Sequence, residues 1–262
     1  MREHHKLFFG SQTMQSELLI LIPFVLLISF SYSLVGLGGG SSYTALLTIV
    51  GISHVFIPSI SLSLNVLVTV SAVAQFARKG HLKLKVLLPF LVTSVPAAYA
   101  GGSLELAEGL FRGILLITLI GVAARIYLWK DPVLQLPETQ AFRTGLSLVI
   151  GALLGFVAGA VGIGGGIYLV PIIIVTGIAS TKEAAATGAA FILINSIAGL
   201  AARSSWSELP WDLIFPLGAT VLVGGLVGSY VGSEKWTSKT VRKVLGVIIL
   251  AAIVLLVHKM VA

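Results

Sequence analysis

Apolar runs close to the ~20 residues that span a bilayer recur from Leu18 almost to the C-terminus, separated by short polar breaks. They predict helices near 17–35, 56–77, 84–104, 109–129, 142–161, 181–202, 211–231 and 244–260. Two further apolar segments, Tyr43–Ile52 and Ile167–Ile178, are shorter. A helix over the second reaches about 18 Å, well short of a ~30 Å hydrocarbon core. Short spans bounded by glycine are the usual sign of a broken or re-entrant helix. The pattern predicts an all-α polytopic membrane protein forming one transmembrane domain. Its longest polar stretch, Lys130–Gln140 with Pro132 and Pro137, divides the chain near its middle.

The two sides of that divide repeat one another. Gly36-Leu37-Gly38-Gly39-Gly40 aligns with Gly162-Ile163-Gly164-Gly165-Gly166 at an offset of 126 residues. The same offset places Gly51-Ile52 on Gly177-Ile178 and Gly102-Ser103 on Gly228-Ser229. The expectation is a first repeat over 17–129, a linker over 130–141 and a second repeat over 142–260. Each repeat holds four long helices and one short glycine-bounded segment. Transporters with internal repeats place their site between the halves.

Charge adds an orientation. The loop after the 56–77 helix is basic, with Arg78, Lys79, Lys83 and Lys85; its counterpart carries Arg203 against Glu208 and Asp212. The next matched pair reverses this. Glu105 and Glu108 outweigh Arg112, whereas Lys235, Lys239, Arg242 and Lys243 outweigh Glu234. Lys and Arg collect on the cytoplasmic side, so matched loops are expected on opposite sides, as in inverted repeats. Inversion requires the short segments to count as crossings, five in each half. The alternative treats them as half-dips and leaves eight spans in two parallel halves. The N-terminus, with Arg2 and Lys6 against Glu3, fits inversion poorly.

Composition excludes several other classes. The chain is 56% hydrophobic and only 10% charged, against about 25% charged in soluble domains. The absence of cysteine excludes disulfides and thiolate metal sites. The net charge of +7 lies beside apolar spans, so lipid is the expected partner and nucleic acid is not. The first stretch ends in LVGLGGGSS without a clear small-x-small cleavage pattern, and reads as a retained helix rather than a signal peptide. GLGGGS and GIGGG lack the Lys-Ser/Thr of a phosphate-binding loop. No Ser/His/Asp set stands out, and no cofactor, metal or enzymatic activity is expected.

Polar residues inside the apolar segments are the candidates for chemistry. Glycine triplets are poor helix formers. Gly38, Gly39, Gly40 with Ser41, and Gly164, Gly165, Gly166, therefore read as helix breaks whose backbone N–H groups face a solute. Close helix packing is the competing account. Pro171 fits the first turn of a helix after the second break. Ser61, Asn65 and Thr69 are spaced by four and share one helix face. Their counterparts are Thr187, Phe191 and Asn195, with Ser196 adjacent. Asn65, Thr69, Thr187, Asn195 and Ser196 are candidate solute ligands, with interhelical bonding as their alternative role. Gln75 lies near a helix end. No carboxylate or histidine lies mid-span; Glu183 and His54 lie near segment ends. The carboxylate relay of a proton-driven pump is not visible.

The segments VGLGGGSSYTALLTIVGIS and VGIGGGIYLVPIIIVTGIASTKEAAATGAAFILINSIAGL resemble the TauE/SafE, or sulfite exporter, family. The resemblance runs over nearly the whole chain from about residue 19. Its second half is the stronger match, through the glycine cluster, Pro171, Ala-Thr-Gly and Asn-Ser-Ile-Ala-Gly. In the first half Ala45 replaces the expected proline, and Ser61-Leu62-Ser63 replaces the Ala-Thr-Gly/Ser pattern. The resemblance implies a transporter of the inner (plasma) membrane that exports a small anion such as sulfite or an organosulfonate. An anion importer, a channel-like path and a non-transporting scaffold are the rival expectations.

Overall fold

A computed structural model describes residues 11–34, 36–128, 139–203, 209–234 and 238–261. Most of the 130–141 linker, the N-terminal charges, and positions 204–208 and 235–237 lie outside the described residues. Among the described residues ten helices follow in order: α1 (Ser11–Ser33), α2 (Gly40–Val50), α3 (Ile57–Arg78), α4 (Leu84–Gly102), α5 (Glu108–Leu128), α6 (Gln140–Val161), α7 (Gly166–Val175), α8 (Thr181–Ala201), α9 (Trp211–Glu234) and α10 (Ser238–Val261). Each apolar segment read from the sequence is a helix. Among the described residues, α3, α4, α6, α8 and most of α9 are long and apolar enough to cross a bilayer. Helices suit lipid because they satisfy their own backbone groups.

The distribution of polarity is that of a multi-pass membrane protein. Val92, Ile117 and Phe215 are 66%, 71% and 69% exposed, whereas Asn65, Thr69, Thr187, Asn195 and Ser196 are 0% exposed. Apolar side chains face outward and hydroxyls and amides face inward. In water this arrangement would leave large apolar patches uncovered.

Small residues let the helices approach. Gly151, Gly155 and Gly159 of α6 sit on the carbonyls of Phe90, Ser94 and Ala98 of α4, so these helices run side by side in the same direction. Gly224 and Gly228 of α9 sit in the same manner on Leu26 and Phe30 of α1. Between these pairs lie α3 and α8, running oppositely. Gly199 meets Leu62 at one end, and Ala185 and Ala186 pack with Phe76 at the other. Backbone-to-backbone contact replaces the hydrophobic drive that lipid removes.

The two short segments differ in detail from the sequence reading. The first helix begins at Gly40 rather than Tyr43, and the second covers Gly166–Val175. Pro171 is the sixth residue of α7, not part of its first turn. A proline there removes the bond to Ile167 O and loosens the helix locally. The cap is instead supplied by Gly165, in the left-handed region at φ 71°, just as Gly39 at φ 88° caps α2. Glu183 closes a capping box with Ser180 at the start of α8, with Ser180 N–H donating to Glu183 Oε2 at 3.0 Å. This role gives it a structural task at the helix end.

Candidate functional site

The two glycine breaks meet at Asn65. A Cβ built on Gly38 would lie 2.7 Å from Asn65 Oδ1, and one on Gly164 would lie 2.9 Å from Asn65 Nδ2. A Cβ on Gly40 would collide with Nδ2 as well. Only backbone without a side chain can approach the amide this closely. Thr69 and Ile192 complete the immediate surroundings, each within 3.2 Å of the Cβ that Gly38 lacks.

The amide itself is unpaired. Asn65 is completely buried, and neither Nδ2 nor Oδ1 has a hydrogen-bond partner. A buried orphan group costs about 1–3 kcal/mol, so this position is poorly explained by packing alone. Beside it begin α2 and α7, the short helices that start inside the bundle. Ser42 and Tyr43 N–H both donate to Gly39 O at 3.0 Å. The Gly40 and Ser41 N–H groups therefore precede the first closed turn. A helix start and an amide donor together favour an anion.

The other expected residues divide. Thr69 Oγ1 donates to the Asn65 backbone carbonyl at 2.6 Å, so its proton is already used. The Ser41 hydroxyl joins Tyr32 Oη at 3.3 Å, in a cluster that also holds Ser42, 2.7 Å from the same phenol. The sequence reading passed over Tyr32 and Ser42; a tyrosine deep in an apolar span was the available signal. Gly39 faces the Tyr43 ring and Ile28, while Gly165 faces Phe191 and Leu154. These two glycines shape the breaks and do not abut the amide. The Cβ position of Gly166 is blocked by Ile192.

On α8, Asn195 Nδ2 donates to Phe191 O at 2.8 Å, while Oδ1 has no partner. Thr187 Oγ1 and Ser196 Oγ are also buried without partners. No hydrogen bond among the described residues joins these three to Asn65. Gln75 ties helices together, its Nε2 donating to Ser229 Oγ at 2.7 Å between α3 and α9. Among the described residues no group of His, Asp or Glu could hold a metal ion.

Lipid-facing apolar surfaces around a polar, glycine-broken centre define a multi-pass membrane protein. The chain belongs to the sulfite exporter TauE/SafE family, which it matches over residues 21–256. It is 33% identical over 248 residues to the probable membrane transporter protein y4hK of Sinorhizobium fredii, covering 91% of this chain and 98% of that one. It is 23% identical over 245 residues to the probable membrane transporter protein YunE of Bacillus subtilis, covering 83% and 89%. No solved structure gives a significant match.

Proposed function

We propose that this chain transports a small anion of the sulfite or organosulfonate class out of the cell across the plasma membrane. The carrying observation is the buried, unpaired Asn65 amide set between the two glycine breaks. Asn65 Nδ2 and the first N–H groups of α2, those of Gly40 and Ser41, act as neutral donors for the anion's oxygens; the Gly166 N–H that opens α7 already donates to Gly164 O at 2.9 Å. Such donors hold an anion without the deep trap of a buried cation, so release stays fast. Thr187, Asn195 and Ser196 serve the path on the α8 side. Family membership and the transporter relatives support the reading.

The halves act as inverted repeats of five crossings each. Supporting this, exchanging the halves maps the α4–α6 pair onto α9–α1, and both pairs are glycine-packed. Gly39 rests on Ile28 and Gly165 on Leu154, positions 126 residues apart. The reading places α3 and α8 at the centre and alternates access between the ends.

The test is anion flux through the purified chain in proteoliposomes, with sulfite, organosulfonates and carboxylates compared. Sulfite or sulfonate flux that falls in Asn65→Ala is the expected result. A chain that moves none of these anions is not the transporter proposed.

A further inference from the structure

A second polar feature lies apart from Asn65. A shallow cleft is cut into one end of the bundle where α3 begins and α4 and α8 end. Its walls include His54, Pro58, Ser103, Glu105, Phe111 and Arg203. Arg203 is the unusual member. Its Nη2 donates to Gly159 O at 2.8 Å and Ala160 O at 3.2 Å, the last carbonyls of α6. A cation at a helix C-terminus is favourable, and this accounts for one nitrogen. Nε remains buried with no hydrogen-bond partner. Burial lowers the Arg203 guanidinium to about 10, with Glu105 acting in the opposite direction, so it is cationic at neutral pH. No ion pair within 4.0 Å joins Arg203 to a carboxylate among the described residues.

The cleft stands next to the central site along α3. Pro58 lines the cleft, Ser61 lies one turn further and Asn65 one turn beyond that. Ser61 is buried and accepts a hydrogen bond from Thr44 Oγ1 at 3.0 Å. Ser61 thus lies between the cleft-lining Pro58 and Asn65 in the order of α3. From the second half, Gly162 packs on Pro58, its missing Cβ 2.7 Å from Pro58 Cα.

We infer that this cleft is a second anion-binding site, in which Arg203 captures the small oxyanion that passes to or from Asn65, with His54 and Ser103 as further polar walls. The inference rests on the anion-transport reading and adds a named outer station to it. With Nη2 taken up by the α6 carbonyls, the guanidinium offers an oxyanion its fixed positive charge rather than a paired fork. Its two α6 carbonyl bonds hold it in place, and Glu105, in the same lining, is a like charge that opposes a bound anion.

The test is equilibrium binding of radiolabelled sulfite to the purified full chain in detergent, with sulfite flux measured on the same preparations in proteoliposomes. Arg203→Gln is expected to weaken binding about tenfold, the loss of one charge-assisted contact. Arg203→Lys is expected to fall between, since it keeps the charge but loses the geometry that ties it to the α6 carbonyls. Glu105→Gln is expected to tighten binding, and it decides the matter if Arg203→Gln does not fold. Wild-type chain that binds no sulfite overturns the inference, as does unchanged binding in Arg203→Gln, or in Glu105→Gln where that variant decides. Wild-type flux alongside unchanged binding in the variants removes the cleft and leaves the transport reading standing. Binding that follows Arg203 without flux leaves the cleft and removes transport.

Discussion

The Asn65 side chain, from the first half of the chain, occupies the space beside Gly164 in the second: a Cβ on Gly164 would lie 2.9 Å from Asn65 Nδ2. Gly164 also adopts φ 80°, a conformation that L side chains rarely take. The two residues fit together only because one has no side chain.

Asn65 is therefore the most informative position to change. Asn65→Leu removes an unpaired buried amide and keeps much of its volume, so the melting temperature is expected to stay level or rise. Flux is expected to fall. A hydrogen bond to a charged group contributes about 1.5–3 kcal/mol, or about 10- to 150-fold in half-saturation. Thermal unfolding by fluorescence, together with proteoliposome flux, reads both effects. A drop in stability with unchanged flux would assign Asn65 to packing.

Gly164→Ala is expected to abolish flux, and some folded protein should survive. The left-handed backbone conformation costs about 1–2 kcal/mol for a residue with Cβ, and the methyl group would displace Asn65. Gly165→Leu acts differently, because the missing Cβ of Gly165 faces Phe191 at 3.0 Å rather than the amide. It is expected to fail through strain and packing. Gel filtration of the two variants, followed by flux from the folded fraction, separates these mechanisms. Normal transport by Gly164→Ala would remove that glycine from the site.

Gly155→Leu is expected to lose the folded protein outright. The missing Cβ of Gly155 points at the Ser94 backbone, with Ser94 Cα 2.6 Å away. Nothing there can move aside without separating α4 from α6. Detergent-solubilised yield and gel filtration check this, and no substrate should rescue it.

Topology follows from charge. Positions 78–85 and 232–243 are expected in the cytoplasm, and Ser103 and Ser205 outside. Single cysteines at Lys79, Ser103 and Ser205 can be labelled in this cysteine-free chain with a membrane-impermeant reagent. Labelling of Ser103→Cys or Ser205→Cys only from the cytoplasmic side would contradict inverted repeats.

The expected driving force is electrical. Outward movement of one negative charge gains about 2.3 kcal/mol per 100 mV when the interior is negative. Among the described residues no carboxylate is buried, and the groups found against Asn65 are Gly38, Gly40, Gly164, Thr69 and Ile192. A clamped potential alone should drive flux. Accumulation driven by a pH gradient at zero potential, with no response to potential, would overturn this expectation.

Much of the architecture was legible in the residues themselves. Spans of about twenty apolar residues form helices in lipid, and a glycine triplet within them favours a break. The positions of the helices, the two breaks and the buried face carrying Ser61, Asn65 and Thr69 follow from local chemistry and helical spacing. The extent of α7 was less clear. Its start at Gly166 left Pro171 inside the helix, because a left-handed Gly165 supplied the cap.

Tertiary structure decided which of those polar residues share a site. Thr69 and Asn65 lie on one helix face, yet the Thr69 proton is held by the Asn65 carbonyl and the Asn65 amide is held by nothing. Gly164 and Gly165 are neighbours in sequence, but one abuts the amide and the other Phe191. Arg203 read as a loop charge until the end of α6 folded against it. Helical period reports which residues share a face. The partner across that face is chosen by packing between helices far apart in the chain, and local pattern carries no term for it.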